Sequence, residues 1–172
     1  MEFTIRRAAP SDAAALAELA ARTFRDTFAP HNDPEDLALH LAQAYGLAQQ
    51  AGELVDPAIT TLLVDRGGVL AGYAQLRRGP APECVVGPAP IELWRFYIAR
   101  EHHGQGLAQR LMHQVEVEAE RAQARTLWLG VWEHNERAKK FYVKHRFVDV
   151  GSHVFTLGSD PQTDRLMARP LP

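Results

Sequence analysis

FTIRRA (3–8) alternates apolar and polar side chains, the period of a strand with one covered face. Pro10 and Ser11 then mark a helix start, with Ser11 as the expected N-cap. Ala14, Leu16, Leu19, Ala20 and Thr23 follow along the helix. A second helical pattern opens near Pro34 and sets Leu37, Leu41 and Tyr45 on one side. Residues 46–58 read as further short helix or loop. TTLLVD (60–65), the turn RGG and VLAGYAQLRR (69–78) predict an antiparallel hairpin. The prolines of GPAPECVVGPAP (79–90) predict a mobile loop, after which IELWRFYI (91–98) is strand-like again.

Two glycines in EHHGQGLAQRLM (101–112) precede a helix striped by Ala108, Leu111, Met112, Val115 and Ala119. TLWLGVW (126–132) is apolar on both faces, as a central strand covered on both sides should be. NERAKKFYVKH (135–145) returns to helical spacing through Ala138, Phe141 and Tyr142, with Asn135 where an N-cap belongs. FVDVG, SHVFTLG and DRLMARPL read as closing strands. The order β-α-α-β-β-β-α-β-α-β-β predicts a single α+β domain over residues 1–172, with a parallel β-α-β unit near the centre of its sheet.

Composition narrows the chemistry. A formal net charge of -2 gives no bulk attraction for nucleic acid. One cysteine, Cys84, excludes an intrachain disulfide, and in its proline-rich loop it has no obvious partner base to make it a nucleophile. The opening MEFTIRRAAP lacks an apolar signal core and no apolar run nears membrane-spanning length, so a cytoplasmic protein without a membrane partner is expected. The 8 histidines include the adjacent His102 and His103 but lack paired ligand spacing, so no metal is expected. Trp94, Trp128 and Trp132 fall on strands and are expected to pack on the sheet.

Glycines before a helix can bring backbone N–H groups to a phosphate. A P-loop would require Gly-Lys-Ser/Thr, but Leu107 and Ala108 follow Gly106. The dinucleotide fingerprint needs a third glycine where Gln109 stands, and Ala99 to His103 separate the strand from Gly104. Only Glu133 falls near the place of a ribose-binding acid.

A third pattern fits better. HGQGLA (103–108) resembles the pyrophosphate loop Arg/Gln-x-x-Gly-x-Gly/Ala of the GNAT superfamily of N-acetyltransferases, with His103 replacing the usual Arg or Gln. Downstream, Asn135, Ala138, Phe141, Tyr142 and Phe147 resemble that family's Asn-x-x-Ala-x-x-Phe/Leu-Tyr-x-x-x-Gly-Phe, with Arg146 where glycine is usual. RTFRDTF (22–28), LWLGVWEHN (127–135) and GSHVFTLGSDPQTDRLMARPL (151–171) look like the PaiA-type branch, the spermidine/spermine N-acetyltransferases.

The resemblance implies a three-layer α/β/α fold. Its mixed, mostly antiparallel sheet would have six to seven strands, a splayed parallel pair and about four flanking helices. It also implies an enzyme that moves an acetyl group from acetyl-CoA to a small-molecule primary amine, a polyamine such as spermidine or spermine being the acceptor of the PaiA branch. The backbone of Phe96, Tyr97 and Ile98 would pair with the pantetheine arm, the Ile98 N–H polarising the acetyl carbonyl. His103, Gly104, Gln105, Gly106, Leu107 and Ala108 would cradle the pyrophosphate, with Asn135 and Lys144 as further donor-side contacts. Tyr142 would be the general acid that protonates the departing thiolate.

Glu92 is the first candidate for the base, because a strand repeat of two puts it on Phe96's face; Glu133 is the second. The acceptor is expected near Phe24, Asp26, Phe28 and HNDPED (31–36), whose Asp33, Glu35 and Asp36 would suit a polycation, with Trp94 lining the cleft. Two other readings stay open: a CoA-binding sensor without turnover, and an acetyltransferase acting on protein N-termini or lysines. Sequence leaves the oligomeric state open, a homodimer included.

Overall fold

The computed structural model describes residues 2–172. Its helices are α1 (Ala13–Phe28), α2 (Pro34–Ala44), α3 (Leu47–Val55), α4 (Leu107–Arg121) and α5 (Glu136–Lys144). Its strands are β1 (Thr4–Arg7), β2 (Ile59–Arg66), β3 (Val69–Arg78), β4 (Pro90–Ile98), β5 (Thr126–Trp132), β6 (Val148–Leu157) and β7 (Asp160–Pro170). They form one 7-stranded sheet in the order β1-β2-β3-β4-β5-β7-β6. Only β4 and β5 run parallel.

Two cores make three layers, as expected. The stripe of α4 (Leu107, Leu111, Met112, Val115, Ala119) and the inner side of α5 pack on Leu62, Leu76, Leu93 and Leu127 from one sheet face. The stripe of α1 (Leu16, Leu19, Ala20, Phe24, Phe28), with Leu37 and Tyr45, packs on Leu63 and Tyr73 from the other. Burying these side chains contributes about 1.5–3 kcal/mol each, which is what holds the layers together. No helix is long and apolar enough to cross a membrane among the described residues.

Several elements depart from the sequence pattern. Pro10–Asp12 form a short 3-10 turn before α1, and Ser11 caps nothing. FVDVG and SHVFTLG join into β6 across a register shift between Asp149 and Gly151. The proline-rich segment is seated on the sheet through Val85, packed against Trp128, Leu166 and Ala168. The segment read as short helix or loop is a fifth helix, α3, and its inward face is the largest difference. Its buried positions are Gln50 and Glu53, while Leu47 is 57% and Val55 66% exposed. An inward polar face reverses the pattern on which periodicity relies. Partners offset most of this burial: Glu53 Oε2 accepts from Arg95 Nη1 at 2.6 Å and from Gln75 Nε2 at 3.1 Å, and Gln50 Nε2 donates to the Ala44 carbonyl at 3.0 Å, while Gln50 Oε1 has no partner.

Two irregularities of β4 build the site. First, β4 meets β5 only through Pro90–Glu92 opposite Thr126–Trp128, while it follows β3 over its length and β5 follows β7. The parallel pair therefore splays, leaving the C-terminal backbone of β4 without a strand on that side. Second, Gln75 pairs with Arg95 while Leu76 pairs with Leu93, so Trp94 is an extra residue, a β-bulge. Before it, Ile91 and Leu93 face the α4–α5 core; after it, Phe96 and Ile98 pack there, and Tyr97 turns to the α1 side. Glu92, the neighbour of two inward leucine-type positions, thus lies on the face opposite Phe96. The expectation that strand alternation would join them fails because the bulge shifts the count by one.

Candidate active site

Between β4 and α4 the chain needs two left-handed residues, and Gly104 (φ 77) and Gly106 (φ 75) supply them. Gly106 is the N-cap of α4 and no side chain caps the helix, so the N–H groups of its first turn are left facing outward. The loop is latched by His103. Its Nε2 lies 2.8 Å from the Ile98 carbonyl, and Arg137 Nη1 from α5 lies 2.5 Å from its Nδ1. Since a guanidinium only donates, Nδ1 accepts and Nε2 donates, which selects the neutral Nε2–H tautomer. The Ile98 carbonyl faces the splay and is engaged by the loop itself. In an extended strand the Ile98 N–H faces the same way, as does that of Phe96 two residues earlier.

Two cavities open on either side of this point. The first, of about 310 Å³, runs from the loop along β4 and is lined by Phe96, Tyr97, Ile98, His103, Ala108, Asn135, Arg137 and Tyr142, with Thr23, Asp26 and Arg100 at its side. The second, of about 350 Å³, lies between the α1–α2 side and the sheet. Its wall is aromatic (Phe24, Phe28, Tyr45, Trp94, Trp132, Phe155) and its polar groups include His40, Arg77, Glu92, Arg95, His153 and Asp164. Phe96, Tyr97, Asn135, Ala138 and Tyr142 line both.

Tyr142 is buried, with Phe96, Phe141 and Phe147 rings 6.3, 5.6 and 5.7 Å from its own. Burial pushes its phenol well above the ordinary tyrosine value. The ring is therefore neutral and carries a proton it can give. Asn135 both caps α5, accepting from the Ala138 N–H at 3.2 Å, and lines both cavities.

In the second cavity, Arg77 Nε and Nη2 bind Glu92 Oε2 at 3.0 and 2.7 Å. The guanidinium groups of Arg77 and Arg95 lie over the Trp94 ring at 3.9 and 3.8 Å. Trp94, pushed out by the bulge, is thus held as a fixed part of the wall. His40 is half-buried beside Phe24, and burial, aided by Arg95, lowers its pKa.

The residues expected from sequence divide accordingly. Phe96, Tyr97, Ile98, His103, Ala108, Asn135 and Tyr142 converge on the first cavity, and Phe24, Phe28, Trp94 and Glu92 on the second. Gly104, Gln105 and Gly106 are exposed in the loop at its end, whereas the Leu107 side chain is core. Three expectations are displaced. Asp26 lines the first cavity rather than the acceptor side. Lys144 is exposed at the far end of α5 and lines neither. Glu133 pairs with His134 at 3.3 Å and also lines neither. In the 31–36 segment, Asp33 caps α2, and Asp36 ties it to the β6–β7 turn by accepting from Ser159 N and Oγ at 2.7 Å each. Those acids serve the fold. Sequence reasoning missed His40, Arg77, Arg95, Arg137, His153 and Asp164, which arrive from α2, β3, β4, α5, β6 and β7 with no motif of their own.

The chain that carries this splayed strand pair, glycine loop and buried tyrosine has relatives among known proteins. The acetyltransferase (GNAT) family model matches residues 13–147. The chain belongs to the GNAT family. Within that family it is 36% identical over 149 residues to an uncharacterized N-acetyltransferase of Lactobacillus delbrueckii subsp. lactis, covering 87% of this chain and 86% of the relative. The PaiA N-acetyltransferase of Thermoplasma acidophilum, solved in complex with coenzyme A, shares the fold with a TM-score of 0.77 at 22% identity, over 99% of both chains. The yncA protein of Salmonella typhimurium, a putative acetyltransferase solved with acetyl-CoA, shares it with a TM-score of 0.73 at 20% identity, over 100% of this chain and 95% of that one. Among the described residues of this GNAT protein, no group of three or more His, Cys, Asp or Glu is placed to hold a metal.

Proposed function

We propose that this GNAT protein transfers the acetyl group of acetyl-CoA directly to a primary amine of a small molecule, with Tyr142 as general acid. The observation that carries this reading is the position of Tyr142 on the wall common to two cavities of different character. The loop-side cavity suits the donor: helix N–H groups, the left-handed glycines and the Arg137 guanidinium favour a pyrophosphate. The splayed edge of β4 offers Phe96 and Ile98 N–H groups to the pantetheine arm and to the acetyl oxygen, where preorganised donors stabilise the developing oxyanion. The aromatic cavity suits the acceptor.

In this mechanism the amine lone pair attacks the acetyl carbon, the carbon–sulfur bond breaks, and the Tyr142 hydroxyl gives its proton to the sulfur. Holding both reactants across one wall supplies much of the acceleration. Arg77, Glu92 and the clamped Trp94 shape the acceptor wall. A polyamine acceptor, suggested by the PaiA resemblance, keeps the support of Asp164 in that wall, while Asp33 and Asp36 of the 31–36 segment are engaged in capping and tethering.

Thiol release from acetyl-CoA with a panel of polyamines, arylalkylamines, amino acids and peptides tests this. Saturable turnover on a small amine that Tyr142→Phe abolishes without weakening CoA binding supports it. CoA binding with no turnover on any amine turns the reading into a sensor, and turnover on peptides alone into a protein acetyltransferase.

A further inference from the structure

A primary amine is an ammonium ion near neutral pH, and its lone pair is free to attack only after a proton leaves. Near neutral pH a group in the acceptor cavity that takes that proton raises the share of free amine. Glu92 is held by two arginine N–H groups on one oxygen. His40 is enclosed by Phe24, Tyr45 and Phe155, the last two edge to face, and made a weaker base by burial. Two groups remain.

We propose that His153 and Asp164, brought in by the β6–β7 hairpin, form the proton-accepting end of the acceptor cavity. This inference rests on the acetyl-transfer reading above. The two residues are register partners on adjacent strands, and His153 Nε2 lies 3.5 Å from Asp164 Oδ2. Both atoms converge on Gly130, the one β5 position between Trp128 and Trp132 on that face. A Cβ placed on Gly130 would lie 3.3 Å from each of them. A glycine in a strand interior leaves room for close approach, and here the room is bounded by an imidazole nitrogen and a carboxylate oxygen.

The pair lines the cavity together with Tyr142 and Tyr97. Asp164 is screened from solvent, and burial raises its carboxyl pKa while His153 opposes the rise. The other charged or titratable groups facing this space are the Arg77–Glu92 pair from β3 and β4, Arg95 from β4, His40 from α2 and Tyr45 at the end of α2. Arg165, next along β7, is turned away to Asp149, which it binds at 2.6 and 2.8 Å.

The proton balance is complete. The ammonium gives one proton to His153 Nε2, and Asp164 stabilises the imidazolium. The freed lone pair forms the carbon–nitrogen bond, the carbon–sulfur bond breaks, and Tyr142 protonates the sulfur. The second proton, acidic on the newly acylated nitrogen, restores the Tyr142 hydroxyl. His153 then releases its proton to water, giving amide, CoA thiol and one proton from ammonium and acetyl-CoA.

The test is kcat/KM against pH for the alkylamine best used by the wild type, in His153→Gln and Asp164→Asn, with CoA affinity measured alongside. Each variant should lose about 10²–10⁴-fold near pH 7 with CoA binding unchanged. The loss should shrink as the pH approaches the amine's own pKa of about 10, where water delivers free amine. Gly130→Ala, which leaves both side chains in the chain but sets a methyl 3.3 Å from His153 Nε2 and Asp164 Oδ2, should reproduce the loss should either variant fail to fold. Wild-type rates and pH profiles in the variants, or a loss equal at every pH, overturn the proposal. A wild type that turns over no amine shows instead that the acetyl-transfer reading has failed, before any variant is made.

Discussion

The carbonyl of Tyr142 accepts the N–H of Phe147 at 3.1 Å, and the two rings meet edge to face with centroids 5.7 Å apart. With the Arg146 N–H on the Val143 carbonyl at 3.0 Å, this is a Schellman termination with its apolar contact. The end of α5 therefore fixes the tyrosine twice, by its backbone and by its ring. Between the partners, Arg146 is left-handed at φ 65, where the family pattern has glycine.

Arg146→Gly should stabilise the protein. A non-glycine residue in that conformation costs about 1–2 kcal/mol, and glycine's greater freedom in the unfolded chain takes back about 0.5–1. A net gain of about 0.5–1 kcal/mol, about 1–4 °C in Tm for a chain of this size, is expected in denaturant and thermal unfolding, with turnover unchanged.

Tyr142→Phe should lower kcat by about 10²–10⁴-fold while CoA affinity, measured by calorimetry, stays within about twofold. Because burial raises the Tyr142 pKa, its proton stays in place through and beyond the range where a free phenol ionises. The alkaline fall in kcat due to this group should lie above pH 10. A fall centred well below pH 9 and lost in Tyr142→Phe would contradict the assignment.

Arg137→Ala should weaken CoA binding by about tenfold or more, the loss of one charge-assisted contact, and flatten its dependence on salt. It also removes the partner that sets the His103 tautomer, so His103→Gln, which keeps a donor toward Ile98, should be the milder change. Titration of CoA at two ionic strengths checks both.

Glu53→Ala should cost about 3–5 kcal/mol in denaturant unfolding, since it leaves Arg95 buried beside Gln75 without its counter-charge. The double change Glu53→Leu with Arg95→Met should cost less than the sum of its parts.

The part of the site proposed for the donor was legible because its motifs are local. The two loop glycines, the strand before them and the Asn135–Phe147 stretch each lie within a few turns of chain, so spacing alone conveys their geometry. The part proposed for the acceptor was not. Glu92 was assigned to the wrong face because the extra residue at Trp94 is accommodated by β3, and nothing in IELWRFYI marks it. The sequence left 46–58 as short helix or loop, and the inward face of α3 was not legible because it is Gln50 and Glu53, whose burial makes sense only once other segments supply partners, Arg95 and Gln75 for Glu53.

By itself, then, the sequence determined most of the helices and strands through periodicity, and the family through the motifs around Gly104, Gly106 and Tyr142. Tertiary structure alone decided where β4 leaves β5, which way Glu92 points, and that His153 and Asp164 meet over Gly130. Those outcomes depend on strand register between segments tens of residues apart, and register is set by side-chain packing across the sheet rather than by the residues of one strand.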